Sequence, residues 1–242
     1  MWPFNKKQDN QINQDSSGAN EAVNEQADSV ESSQNAGSHD AVNGNRGPFD
    51  GDSVNFDDFD FSDFAVGLLN LGSMKLPLPK GSQVQVEMGD DGPKLLHIVT
   101  QYGRISPVAF AAPRTPGQWM DASDEISEGM AKDGMDPHFE NGPWGREIVA
   151  KGSGNALRMI GVDGPRWMLR VTLMSPETHA EELTALGREL VARTFVYRGD
   201  EPILAGNSLP VIMPPQLVEQ MQKAMEARRA QQGEQTQQDG TE

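Results

Sequence analysis

The sequence has no cysteine. Disulfides, thiolate nucleophiles and cysteine-held zinc are therefore excluded. Positive charge is also scarce, with 20 lysines and arginines against 36 acids and a formal net charge of −16. A surface of that sign repels a phosphate backbone and an anionic bilayer, so neither nucleic acid nor acidic lipid is an expected partner. No apolar run approaches the ~20 residues of a membrane span. Met1-Trp2-Pro3-Phe4-Asn5-Lys6-Lys7 leads into polar residues rather than an apolar core, so no secretory signal is read. The expected location is cytoplasmic.

Motifs for chemistry are missing as well. The four histidines, His39, His97, His138 and His179, lack metal-ligand spacing, and no His-Glu-x-x-His occurs. Gly152-Ser153-Gly154 lacks the third glycine and the following helix of a dinucleotide loop, and reads as a turn. Neither a Walker-type loop nor a Gly-x-Ser-x-Gly elbow is present. Arg198-Gly199-Asp200 spells an adhesion tripeptide and is read as a turn. No metal or cofactor is expected, no catalytic residue is assigned, and the reading leans away from an enzyme.

What is present is unevenly spread. Residues 1–64 hold 13 acids and 3 bases, and residues 1–47 hold almost no large apolar side chains. A segment that cannot bury apolar surface cannot offset its ordering entropy, so 1–47 is expected to be a disordered acidic tail. Residues 48–66 form an acidic-aromatic arm that interleaves aspartates with five of the nine phenylalanines. Phe56, Phe59, Phe61 and Phe64 are candidate anchors for another protein with a basic, apolar surface. The competing reading packs the same rings onto the chain's own domain.

Residues 67–214 read as one α+β domain. Val84 and Val86 alternate with polar residues, Asp90-Asp91-Gly92 is a hairpin turn, and Lys94–Tyr102 returns. Ile105–Ala112 makes a third strand. A helix is expected from a cap at Asp121, with Asp124 three residues on and Gly134 ending it. Strands follow over Met135–Glu140, Arg146–Lys151, Ala156–Gly161 and Trp167–Leu173, separated by glycine-rich turns. Ser175-Pro176-Glu177 opens a second helix with a stripe of Leu183, Leu186, Leu190 and Val191. Phe195–Tyr197 is a last strand, and residues 215–242 give a short helix bearing Leu217, Met221 and Met225 before a polar tail. The fold class is α+β, a mainly antiparallel sheet covered by two or three helices.

One constellation remains. Arg114, Trp119, Arg146, Arg166, Trp167, Arg170 and Arg198 place guanidiniums beside turns and indoles. If they converge, they suit a small anion or nucleotide-related ligand. Otherwise each arginine pairs with an acid such as Asp163, Glu147 or Asp200, and each tryptophan is core.

The strings Asn70-Leu71-Gly72-Ser73-Met74-Lys75-Leu76-Pro77, Ala109-Phe110-Ala111-Ala112-Pro113-Arg114-Thr115, Gly142-Pro143-Trp144-Gly145, Gly161-Val162-Asp163-Gly164-Pro165-Arg166-Trp167 and Arg198-Gly199-Asp200-Glu201-Pro202 resemble the actinobacterial domain-of-unknown-function family 3710. The resemblance spans about residues 47–214 and departs at the short Lys151–Asn155 segment. It implies an intracellular protein of uncharacterised activity and supplies no catalytic residue. The element order also resembles a Mog1/PsbP-type sandwich, an analogy of fold alone. A non-catalytic protein-binding or adaptor domain is the first functional expectation, and a small-anion or nucleotide-related ligand-binding protein or enzyme the alternative.

Overall fold

A computed structural model describes residues 39–89, 92–215 and 217–219. The expected tail over 1–38, the turn residues Asp90 and Asp91, and Met221 and Met225 lie outside the described residues. The strands are β1 (Phe49–Asp50), β2 (Ala65–Asn70), β3 (Met74–Pro79), β4 (Gln83–Gly89), β5 (Gly92–Thr100) and β6 (Gly103–Ala111). After helix α1 (Gln118–Lys132) come β7 (His138–Gly142), β8 (Gly145–Gly152), β9 (Asn155–Gly164) and β10 (Trp167–Pro176). Helix α2 (Ala180–Val191) and β11 (Phe195–Val196) complete the set.

The strands divide between two sheets. A seven-stranded sheet runs β4-β5-β6-β10-β9-β8-β7, antiparallel throughout, and a four-stranded sheet runs β1-β11-β3-β2. The two-residue β1–β11 pair is the parallel exception. Alternation along β10 sets the layers, because successive side chains of a strand face opposite ways. Trp167, Leu169, Val171 and Leu173 enter the main core with Leu183 and Leu190 of α2 and with Met74 and Leu76 of β3. Met168 points to the other face, where it joins Trp119 and Met130 of α1 and Ile148 and Ala150 of β8. The result is an α+β sandwich, with α2 and the small sheet on one face of the large sheet and α1 on the other.

Helix α1 begins at Gln118, three residues before the expected Asp121 cap. Its own cap residue, Gly117, offers no side chain. The acceptor comes from β9 instead: Asp163 takes the N–H groups of Gly117 at 3.1 Å and Trp119 at 3.0 Å. The second helix also differs from expectation. Ser175 and Pro176 finish β10, a 3-10 turn over Glu177–His179 follows, and α2 starts at Ala180 with no side-chain cap.

Residues 39–66 pack onto the domain, so the expected boundaries at 47 and 66 fall inside ordered structure. Ala41 is buried, and Gly47 N–H donates to the Ala192 carbonyl at 2.9 Å. Phe195, fully buried in β11, is the hub of the arm's rings. Its ring centroid lies 4.9 Å from Phe49, 5.1 Å from Phe56, 5.3 Å from Phe59 and 6.3 Å from Phe61. Trp167 Nε1–H adds a buried 3.0 Å hydrogen bond to Asp50 Oδ1, tying the arm to the large sheet.

Sheet pairing also changes partner midway along β6. β5 pairs with it only over Ile98–Thr100. Farther on, Ala109 O, Ala111 N and Ala111 O bond Leu209 N, Asn207 O and Gly206 N at 2.8–2.9 Å. An apolar cleft of 610 Å³ opens there, lined by Leu71, Leu96, Pro107, Leu209 and Val211 among others. Among the described residues no helix is long and apolar enough to cross a membrane.

Removing the aromatic hub tests this packing. Phe195→Ala is expected to cost about 3–5 kcal/mol in urea unfolding, the usual penalty for a buried ring. A loss below about 1 kcal/mol would show that the arm does not rest on it.

Candidate functional site

The seven arginines and tryptophans singled out by sequence do not gather into one patch. Trp167 is core, fully buried on the α2 side of the large sheet. Arg114 is exposed in the loop after β6. Arg166 and Arg198 lie together at one end of the sandwich, where backbone carbonyls hold them. Arg166 Nη2 reaches Gly199 O at 3.4 Å, and Arg198 donates to Glu201 O at 2.9 Å and Ile203 O at 3.1 Å. Asp52 fastens that loop by accepting the N–H groups of Arg198 and Gly199. Arg166 carries φ of +60°, left-handed backbone that residues other than glycine rarely adopt.

Trp119, Arg146 and Arg170 do share a face, the one that carries α1. Trp119 lies flat on Gly161, where a Cβ would come within 1.9 Å of the indole, so only glycine permits the approach. Its Nε1–H donates to the Arg146 carbonyl at 2.7 Å. The Arg146 guanidinium donates to Ser123 Oγ at 2.8 Å and to the Met120 carbonyl, pairs with Asp124 at 2.8 Å, and stacks on Phe139 at 4.4 Å. These contacts occupy Arg146 in fastening α1 to β8. Arg170 stands apart: it is half-buried, with its guanidinium 4.9 Å from the centre of the Phe110 ring. Asp163, the α1 cap, has its carboxyl pushed up by burial against the lowering effect of the two N–H bonds.

The acids chosen as possible partners go elsewhere. Glu147, 1% exposed on β8, faces α2 and takes Arg188 at 2.7 and 3.1 Å and Arg158 at 2.5 Å. Arg158 also donates to Glu140 at 2.6 Å. Burial opposes the Arg158 charge, yet the bonds from Glu140 and Glu147 outweigh it and raise its pKa. The hydrogen bond from Arg158 holds the Glu140 carboxyl below the ordinary range. This network floors a polar cleft of 490 Å³ beside α2, lined also by Lys151, Ser175 and Thr184. It joins β7, β8, β9 and α2, and sequence reasoning missed it. The available signal was Arg188, a cation one position from Gly187 on the buried stripe of α2.

On the α1 face beyond α1 itself, a second polar chain crosses three strands. Ser106 Oγ lies 2.6 Å from His97 Nδ1, and His97 Nε2 lies 3.3 Å from Glu87 Oε2. Ser106 and His97 are buried. The arrangement can orient the Ser106 hydroxyl.

The arm's candidate anchors separate into two pairs. Phe61 is buried, and Phe64 packs on the main core with the Arg193 guanidinium 4.5 Å from its ring centre. Phe56 and Phe59 are half-buried and, with Phe61, Val66, Leu68 and Pro77, line a shallow apolar hollow of 290 Å³. Asp57, Asp58, Asp60 and Asp63 are exposed around it. The bond from Ser62 N–H holds the Asp60 carboxyl low.

Two measurements test this geometry. Asp163→Ala is expected to cost about 0.5–2 kcal/mol, the worth of a helix cap, while Asp163→Asn, which keeps an acceptor, costs less. Because the folded-state pKa of Glu140 is depressed, its contribution is complete at neutral pH and fades as pH falls through that value. The stability gap between wild type and Glu140→Gln, under about 1 kcal/mol for so exposed a pair, should close below about pH 4. A gap that widens in acid would contradict the pairing.

Comparison with known proteins adds the following. No curated protein shows significant similarity to the sequence. The solution structure of cyanobacterial PsbP (CyanoP) from Synechocystis sp. PCC 6803 is similar at a TM-score of 0.35 and 10% identity, over 52% of this chain and 87% of that one. A crystal structure from Bacteroides thetaiotaomicron VPI-5482 is similar at a TM-score of 0.36 and 12% identity, over 62% of this chain and 54% of that one. A family model described as a protein of unknown function (DUF3710) matches residues 47–220, a span that takes in every strand and helix described above, and the chain belongs to that family.

Proposed function

We propose that the domain is a non-catalytic protein-binding module that takes an extended, basic and apolar segment of a partner along β2. One observation carries the reading: β2 is an outer strand, paired with β3 alone, with Val66 64% and Leu68 44% exposed beside the hollow of Phe56, Phe59 and Phe61. An outer strand presents unpaired backbone donors and acceptors, the template for adding a further strand. Natural edges are commonly blunted with lysine, proline, an inward charge or a bulge; Val66, Gly67 and Leu68 carry none of the first three, and the pairing irregularity between Ala65 and Gly67 leaves Gly67–Asn70 in regular register with β3.

The occupant's chemistry follows from charge. Residues 48–66 carry six aspartates and no lysine or arginine. Asp57, Asp58 and Asp60 are exposed in the segment whose rings line the hollow, so a lysine- or arginine-bearing strand gains on encounter and an acidic one is refused. Alternating side chains of the added strand would then place apolar groups in the hollow and cations toward the aspartates.

A displayed library of extended peptides selected on the full chain tests this. Enriched sequences are expected to alternate lysine or arginine with valine, isoleucine or phenylalanine. Their affinity should fall at least tenfold on Val66→Lys/Leu68→Lys, surface changes expected to leave folding within about 0.5 kcal/mol. Peptides that bind that double variant undiminished, or no enrichment at all, would dismiss the β2 site.

A further inference from the structure

We infer that Arg170 anchors a carboxylate ligand on the face of the large sheet that α1 leaves open. Arg170 occupies the middle of β10, in the centre of the seven strands. Its guanidinium lies over Phe110 on β6, and directly opposite on β9 is Gly161, the residue on which Trp119 rests. The cation thus has one aromatic wall, Phe110, and a glycine rather than a polar side chain beside it on β9. Its Nε is sealed from solvent with no acceptor, and no hydrogen bond or ion pair engages the guanidinium among the described residues. Burial pulls its pKa below the ordinary arginine value.

That isolation is unusual in a chain with 36 acids. The nearest acid on the same face in register is Asp163, two residues along β9 from Gly161, and its oxygens are taken by the N–H groups of Gly117 and Trp119. Arg104 shares the face but lies four residues along β6 from Val108, the residue opposite Arg170, about 13 Å away at strand spacing. One anion therefore meets one guanidinium. Thr172, two residues along β10 on the same face, adds a hydroxyl opposite Ser106, whose own Oγ is held by His97.

A half-buried cation without a counter-ion is costly to the folded chain unless something neutralises it. The planar fork matches a carboxylate through two parallel hydrogen bonds, and the Phe110 ring strengthens that pair by excluding water from one side. A phosphate dianion would leave one charge uncompensated beside Asp163. The site therefore favours a carboxylate, borne by a small organic acid or by an acidic side chain of a partner.

The test uses the full chain labelled with ¹⁵N-arginine, in which the Arg170 Nε–H signal is identified by its absence from Arg170→Lys. Acetate, a tetraglutamate peptide, phosphate and chloride are titrated in parallel at fixed ionic strength. Acetate and tetraglutamate are expected to shift that one signal saturably while chloride does not. A midpoint at least tenfold lower for tetraglutamate assigns the carboxylate to a partner's side chains, and similar midpoints assign it to a small acid. A signal that does not move, moves equally in chloride, or saturates only with phosphate overturns the inference. Folding is read separately with Arg170→Met, which removes the charge and keeps much of the stem. It is expected to melt at or above the wild-type temperature in chloride, and to lose the rise that acetate gives the wild type. A melting temperature several degrees lower would make Arg170 a structural residue and end the proposal.

Discussion

A central strand must show its side chains to two faces in strict alternation, and in this domain β10 bears that constraint. Trp167, Leu169, Val171 and Leu173 fill the core shared with α2 and the small sheet. The intervening positions have no choice but the opposite face. Helix α1 covers only part of that face, over β8 and β9, so Met168 is buried beneath it while Arg170, Thr172 and Met174 remain half-open. The core on one side thus fixes, by register alone, which polar groups stand on the other. A one-residue slip of β10 would place Arg170 in the main core and Leu169 in water, so register and surface chemistry are specified together.

The same strand begins with the residue that organises the aromatic end. Trp167 is fully buried, and its indole N–H reaches Asp50, which lies in β1 beside β11. An aspartate 5% exposed is tolerated because Ser53 Oγ–H and this indole both donate to it. Around that anchor Phe49, Phe56, Phe59 and Phe61 close on Phe195. Their burial offsets the ordering entropy of a segment otherwise rich in aspartate. Anchoring also limits what the arm can offer a partner. Rings packed on Phe195 are largely committed, and of those that line the hollow beside β2 only Phe56 and Phe59 are half-buried while Phe61 is buried.

Local rules made much of this visible. Alternation in Val84–Glu87, glycine-rich turns at Gly152–Gly154 and Gly164–Pro165, and the leucine stripe of 183–191 all appear as strands, turns and helix near their expected positions. What was not legible depends on residues far apart in the chain. Helix α1 starts before Asp121 because Asp163, more than forty residues away, supplies the acceptor. No local capping pattern can reveal a cap delivered by another strand. Glu147 was weighed as a partner for neighbouring Arg146, but adjacent strand residues point to opposite faces. Arg146 turns to α1, while Glu147 meets Arg188 from α2 and Arg158 from β9. β2 was hidden for a different reason: Val66 and Leu68 break the inward-apolar rule because they lie at an unpaired edge.

The contrast between Glu147 and Arg170 separates structural charge from charge kept for another purpose. Both sit on inner strands of one sheet, on opposite faces. Glu147 has two guanidiniums within 3.1 Å, one of them, Arg158, shared with Glu140, so its burial is compensated and serves to lock α2 over β8 and β9. Breaking such a pair is costly because the survivor is left charged and dry. Arg170 is already in the condition that breaking a pair creates: half-buried, its Nε unsatisfied, its charge without an ion pair among the described residues. The surroundings, Phe110 among them, add to its desolvation without supplying an acceptor to its Nε. A fold that compensates one buried charge so completely retains the other uncompensated at a measurable cost in stability. Such costs concentrate at sites of binding, where the missing partner arrives from outside.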